Sequence, residues 1–369
     1  MYNNDMYIRR VRLRNFRNYP DREFSFDQGL NVVVGKNASG KTNLIESVYC
    51  CGIGKSPRTN KEKELIRWGE RYAYVQVEIV KTYRTHTVEF AIDAQGKKRI
   101  AVDGIAIARM GELLGVLNPV FFSPDEMKLI KESPQERRRF VDISLSQQSK
   151  QYFYALSKYN AVLQQRNKLL KTEYNLDRLR QMLVGWDSQL AQLGAYIVSK
   201  RREWTQNVLP FVQDAHAYLT DGSETPSVAY ESGVEGDTEA DLQAFLLHAL
   251  SANLERDKSL TFTGIGPHRD DLCIRVNEID VRKFGSQGQQ RTSALSLKLA
   301  QIGLLEQESG EKPVLLLDDV LSELDEQRRT RLMQFSARLQ TLITCTDFDM
   351  DVPHKRIEIR DAALVLPAE

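Results

Sequence analysis

The sequence has no apolar run approaching the eighteen or so residues that a membrane span requires. Its opening stretch, MYNNDMYIRR, lacks the apolar core of a secretory signal, so a cytoplasmic protein with no membrane partner is expected. Cysteine is scarce. Cys50, Cys51, Cys273 and Cys345 show no CxxC spacing and the five histidines are scattered, which argues against a disulfide framework and a structural zinc site. An excess of either charge is also missing: Lys plus Arg number 51 against 50 Asp plus Glu, so any nucleic-acid contact must come from local basic patches. There is no internal repeat and no low-complexity tract. What remains is an ordinary globular composition, 41% hydrophobic over 369 residues, enough for two or three domains.

IRRVRLRNF sets Val11 and Leu13 against Arg10, Arg12 and Arg14, the period of a strand with one buried and one basic face. GLNVVVGKN supplies Val32 to Val34, a short apolar run suited to a parallel strand buried on both sides, with a helix expected from about Thr42. From Tyr72 to Ile107 the stretches YVQVEIV, HTVEFAID and RIAV alternate, with AQG and VDG as hairpin turns, so an antiparallel block adjoins a parallel one. After NPVFFSPDE the pattern turns helical. Leu145, Tyr152, Leu156, Tyr159, Leu163 and Leu170 form one stripe, and Leu176, Leu179, Leu183, Trp186, Leu190, Leu193, Ile197 and Trp204 a second. They predict a short helical hairpin, and arms of only a few heptads favour a helical subdomain over a projecting coiled coil. TDGSETPSVAYESGVEGDTEAD reads as an acidic surface excursion around one edge strand, with no function placed on it. TFTGIGPHRDDLCIRVNEIDV reads as two strands about a Gly-Pro turn.

GKNASGKT, from Gly35 through Lys36, Asn37, Ala38, Ser39 and Gly40 to Lys41 and Thr42, fits GxxxxGK[ST] and sits between a buried strand and a helix. Glycines there let backbone N–H groups surround phosphate oxygens, and the helix N-terminus adds its partial positive charge. Lys41 can reach the β- and γ-phosphates, and the Thr42 hydroxyl can ligate Mg²⁺. PVLLLDDV is an apolar strand ending in two carboxylates: Asp318 would hold Mg²⁺, and Asp319 would orient or deprotonate an attacking water. Lys41 and Asp318 stand 277 positions apart, more than compact nucleotide kinases and small GTPases insert, so a large second lobe must interrupt the nucleotide fold.

KFGSQGQQRTSALSLKLAQ places Ser286 and Gly288 just before a helix, a place that by itself reads as a helix cap ahead of an anion site. Three neighbours tip the balance towards the anion. The loop lies about 32 residues before Asp318, a helix intervenes, and SELDEQRR follows Asp319. The ordered set GxxxxGKT, S-x-G-Q-Q, apolar-Asp-Asp and SELD resembles the ATP-binding-cassette type of ATPase head. With IRRVRLRNFRNY, FSPDEMKLIKESPQERRRFVD, GIGPHRDDL and FGSQGQQRT, it resembles the RecF family of bacterial recombination mediators over nearly the whole chain.

The resemblance implies an α/β P-loop fold: a mixed-sheet lobe I over 1–120 and 300–369, interrupted by a mainly helical lobe II over 121–299 with its hairpin near 135–205. It implies ATP and Mg²⁺ as cofactors. Ser286, Gln287, Gly288 and Gln289, with Asp325 of SELD, would meet the nucleotide of a second copy, making ATP the adhesive of a homodimer. It further implies binding to single-stranded and gapped or junction DNA, cooperation with RecO and RecR in loading recombinase, and support of fork recovery and SOS induction. Two positions depart from the cassette pattern. Asp319 stands where a glutamate is usual, so slow hydrolysis is expected, and Thr346 stands where a histidine is usual, which leaves the general base open. Ser123 and Asp125 are the candidates for the lobe-joining loop, whose glutamine is not identifiable. Basic clusters at Arg9–Arg17, Arg137–Arg139, Lys200–Arg202 and Arg328–Arg331 are candidate DNA contacts, and His268 with Arg269 could touch DNA or fill a turn. The competing readings are a transporter's energy-coupling ATPase, another structural ATPase of the chromosome-maintenance kind, and a small-substrate kinase. DNA-stimulated ATPase activity and phosphoryl transfer only to water would separate them from the first.

Overall fold

The computed structural model describes residues 6–359. The chain divides into two units, Met1–Glu126 with Leu295–Glu369, and Met127–Ala294. These boundaries lie a few residues inside the expected 120/121 and 299/300. The first shift has a physical cause, a strand in NPVFF that sequence periodicity does not reveal because it is only four residues long.

In the first unit, β1 (Tyr7–Phe16) buries Ile8, Val11, Leu13 and Phe16. β2 (Tyr19–Ser25) returns beside it, and β3 (Leu30–Val34) is buried throughout and leads to α1 (Lys41–Ile53). β4 (Tyr72–Val80), β5 (Thr85–Asp93), β6 (Lys98–Val102) and β7 (Ile105–Ala106) follow. Six strands form an antiparallel sheet in the order β2-β1-β4-β5-β6-β7. Its last turn, Asp103-Gly104, has two consecutive left-handed residues (φ 53° and 78°), the geometry that matches the twist of a two-residue hairpin. β8 (Pro119–Phe122) is the strand just noted.

The second unit begins with α2 (Met127–Lys131), α3 (Pro134–Gln148), α4 (Lys150–Thr172) and α5 (Leu176–Thr220). α4 and α5 pack as the hairpin, joined at Glu173–Asn175, where the Asn175 side chain accepts from Arg178 N and caps α5. The second arm runs to Thr220, beyond the expected 205. The buried stripe of α4 is Tyr152, Tyr159, Val162, Arg166 and Leu170; Leu156 and Leu163 are only half-buried. β9 (Pro226–Glu231) is followed by α6 (Glu239–Ala252) and α7 (Leu254–Leu260). β10 (Asp271–Val276), β11 (Ile279–Asp280) and α8 (Val281–Phe284) close the unit, the small sheet running β11-β10-β9. The hairpin turn in this stretch is Asn277-Glu278, both left-handed (φ 49° and 64°), and not the Gly-Pro pair. Residues 261–270 carry no strand; hydrogen bonds from Thr263 N to Asn167 Oδ1 and Gly264 N to Asp257 Oδ1 hold them as a loop.

α9 (Gln287–Ser309) carries the chain from the second unit back into the first. β12 (Val314–Asp318), α10 (Glu326–Ser336), β13 (Thr341–Cys345) and β14 (Lys355–Glu358) complete it. The parallel sheet runs β14-β3-β13-β12-β8. α1 lies against it, with Leu44, Ile45 and Val48 in one core with Val33, Leu316 and Leu342.

Candidate functional site

The pairs Cys345–Val34, Asp318–Thr344 and Leu317–Phe122 bring the C-terminal ends of β3, β13, β12 and β8 to one edge. Ligands of parallel sheets bind at such an edge. The loop Gly35–Gly40 leaves β3 there. Lys36, Asn37 and Ala38 are exposed at its tip, and Ala38 and Gly40 adopt left-handed backbone, φ 63° and 113°. A Cβ at Gly40 would fall 2.7 Å from Asn18 Nδ2 and 2.9 Å from the Tyr19 hydroxyl, and one at Gly35 would fall 2.6 Å from the Ile359 carbonyl oxygen. Glycine is therefore required at both by close approach. The Tyr19 hydroxyl donates to the Gly40 carbonyl at 3.0 Å, and Asn18 Nδ2 to the Ser39 carbonyl at 3.2 Å. Lys41 is buried, its Nζ donating to the carbonyls of Gly35 (2.6 Å) and Lys36 (2.9 Å).

Thr42, on the first turn of α1, donates through Oγ1 to Asp318 Oδ1 at 2.8 Å. β13 lies between β3 and β12, and its Thr344 donates to the same oxygen at 2.8 Å. Burial pushes the Asp318 carboxyl above its ordinary pKa, while the bonds from Thr344 and Thr42 pull the other way. The donor set fits a hard divalent cation: an oxygen of Thr42 and a carboxylate oxygen of Asp318 converge beside a phosphate-type loop. Ser39 Oγ, within that loop, is buried without a hydrogen-bond partner, a polar atom suited to a bound anion. Asp319 is exposed and left-handed (φ 53°), its backbone N–H held by the carbonyl and hydroxyl of Thr344. Thr346 is exposed just beyond β13, and Ser123 is buried one residue past β8, where Asp125 is exposed.

Several contributors have little sequence signature. Thr344 is a hydroxyl ending an apolar strand, TLITC, a pattern that shows only once β12 is known to pair with it. Glu46, five residues after Lys41, is 1% exposed and receives Arg17 through Nε (2.9 Å) and NH2 (2.7 Å), with Ser56 Oγ at 2.6 Å. Arg58 reaches both Asn43 Oδ1 (3.2 Å) and Glu46 (3.5 Å), and its charge bears on Asp318.

In the second unit, Ser286 caps α9. Its Oγ accepts from Gln289 N at 3.2 Å, and Gln289 Oε1 accepts from Ser286 N at 3.0 Å, a reciprocal capping box. Gln287 is exposed and Gly288 half-buried beside it. Asp325 caps α10, accepting from Arg328 N at 2.9 Å and pairing with the Arg328 guanidinium; these contacts hold its pKa low.

Many residues of the basic clusters are paired within the chain, some at its surface and some buried. Arg9 pairs with Glu78, Arg10 with Glu23 and Glu78, and Arg12 and Arg14 with Asp21. Arg137 is buried on the Asp271 carboxylate, and Arg138 donates to the Asp270 carbonyl. Arg201 is buried on Asp142 and the Pro267 carbonyl, Lys200 pairs with Glu203, and Arg202 caps the carbonyls of Gly236 and Val234. His268 fills a turn: its Nε2 donates to the Thr263 carbonyl, so Nδ1 accepts from the Tyr159 hydroxyl at 2.7 Å, and burial pushes its pKa down to about 4. Arg269 is exposed and lies over the Phe262 ring, 4.4 Å from its centroid.

A family model described as the RecF/RecN/SMC N-terminal domain matches residues 7–352. The chain is 44% identical over 344 residues to the DNA replication and repair protein RecF of Alkaliphilus oremlandii, covering 92% of this chain and 93% of that protein. It is 43% identical to the RecF protein of Clostridium kluyveri, covering 93% and 94%. A solved structure of the recombination mediator protein RecF, in its RecF-ATPrS form, superposes with a TM-score of 0.90 at 35% identity over 98% of both chains. The Smc head domain from Pyrococcus furiosus, at 18% identity and a TM-score of 0.53, covers 93% of this chain and 90% of that one and shares the fold. At these identities over nine-tenths of its length, the chain belongs to the RecF family.

Proposed function

We propose that this protein is an ATP-dependent DNA-binding recombination mediator whose working form is a nucleotide-bridged dimer. The observation that carries the reading is the 2.8 Å contact between Thr42 and Asp318, which joins a phosphate-type loop to a buried carboxylate 276 positions away. Family membership supplies the process, and the structure named RecF-ATP in the RecFOR pathway, 34% identical, supports ATP and the RecO and RecR partnership.

The chain's own groups divide the work as follows. The backbone N–H groups of Lys36 to Thr42 bind phosphate oxygens, and Lys41 exchanges its two carbonyl partners for the β- and γ-phosphates. Thr42 and Asp318 would hold Mg²⁺, which would supply charge neutralisation at those phosphates. Thr344 and Thr42 aim Asp318 and favour its ionised form against its burial. Asp319, one methylene shorter than glutamate, orients or deprotonates the attacking water, which makes hydrolysis slow. Ser286, Gln287, Gly288, Gln289 and Asp325 meet the nucleotide of a second copy, so ATP closes the dimer on gapped or junction DNA and hydrolysis opens it. DNA stimulates that slow hydrolysis.

Binding of a labelled gapped duplex tests this. Affinity should be about tenfold or more higher with MgATP than with ADP, and Asp319→Asn should lengthen the bound lifetime. DNA affinity indifferent to nucleotide, or unchanged turnover in that variant, contradicts the proposal.

A further inference from the structure

The segment after α5 has the composition of a solvated excursion, yet Glu224 within it is only 19% exposed and makes two directed contacts. Its Oε2 accepts from Nε2 of His216 at 3.0 Å, and its Oε1 accepts from Nε2 of Gln289 at 3.0 Å. His216 is fully buried on α5. Gln289 Oε1 receives Ser286 N at 3.0 Å, and Ser286 Oγ receives Gln289 N at 3.2 Å.

These contacts leave the Gln289 amide one orientation. A carboxylate only accepts, so Nε2 must face Glu224 and Oε1 must face the Ser286 N–H. A flipped amide would set donor against donor at Ser286 and acceptor against acceptor at Glu224. The capping box that fixes Ser286 is thus itself fixed by a carboxylate outside the loop, and that carboxylate by a buried imidazole. A serine cap needs only a glutamine three residues on. The further carboxylate and imidazole go beyond what capping demands.

We propose that Glu224, oriented by His216, is a positioning residue: it sets Gln289 and so aims the Ser286 hydroxyl and the first turn of α9 at the nucleotide of a second copy. This rests on the reading in which that loop acts across the dimer.

Sedimentation of the full chain with a non-hydrolysable ATP analogue, beside fluorescent-nucleotide binding at concentrations too low for association, tests the inference. Glu224→Ala should weaken association about tenfold and leave nucleotide affinity as in the parent. Glu224→Gln, which preserves volume, should be similarly impaired because its NH2 replaces one of the two carboxylate oxygens and faces the Nε2 donor of either His216 or Gln289. In a Gln289→Ala background, Glu224→Ala should add nothing further, whereas a general packing role would add its full cost. Association as tight as the parent's in both Glu224 variants overturns the inference, as does a parallel loss of nucleotide binding or additivity with Gln289→Ala. Ser286→Arg, run alongside, separates the two failures. If that variant associates like the parent, the reading across the dimer fails; if it does not and the Glu224 variants do, only the role of Glu224 fails.

Discussion

Asp318 places a carboxyl group where the fold gives it little solvent. Two threonine hydroxyls stabilise the ionised form, but burial outweighs them and its pKa is raised. A raised carboxylate pKa opposes folding once pH climbs through the folded value, because the folded state must then keep a poorly solvated charge. Asp318→Asn retains an oxygen for both hydroxyls and removes the charge. Its stability without nucleotide should therefore exceed the parent's by on the order of 1 kcal/mol at neutral pH. The gap should narrow as pH falls and Asp318 takes up a proton, while Mg²⁺-dependent nucleotide binding is lost. Thermal denaturation across pH, with nucleotide titration, checks all three; a less stable Asn variant would contradict the desolvation argument. At this scale the sequence is legible where chemistry is local. Gly35 to Thr42 lie in one strand-loop-helix unit, so spacing alone places Lys41 and Thr42 together. Thr344 and Glu46 are illegible for the opposite reason: one depends on strand register, the other on Arg17 arriving from the turn between β1 and β2.

The helices of the second unit are organised by buried arginines as much as by leucines. Arg166 sits in the apolar stripe of α4 at 0% exposure, bound to Asp187 on α5 and Asp257 on α7, both at 2.7 Å, and to Thr263 Oγ1 at 2.9 Å. Removing such a partner strands two carboxylates. Arg166→Met should cost about 3–5 kcal/mol and loosen the second unit, seen as rapid proteolysis between 127 and 294. A variant as resistant as the parent would show that the pairing contributes nothing net. The same side chains explain why charge patterning misleads here. A run of arginines reads as a solvated or DNA-facing surface, but Arg137 and Arg201 turn inward because their carboxylates come from Asp271 and Asp142, distant in sequence. Helix periodicity finds the α4–α5 hairpin but not its end, since α5 continues through Pro210 to a left-handed Asp221. Strand alternation finds β4 to β6 because one face is buried; β8, four residues long and wholly buried, has no alternation to show.

Across the whole chain, the loop that carries Lys41 and the capping box that carries Ser286 belong to different units. Each is complete in its own way: the first has its lysine, hydroxyl and buried carboxylate, the second its capping box and the carboxylate behind it. The account requires that they meet through two copies and one nucleotide, so its central claim concerns association more than binding. Sedimentation velocity with a non-hydrolysable ATP analogue tests that claim most directly. The parent should form dimers with the analogue and remain monomeric with ADP, and Ser286→Arg should stay monomeric while the analogue still binds at Lys41. Dimers of Ser286→Arg as abundant as the parent's, or a parent that stays monomeric when saturated with the analogue, would contradict it.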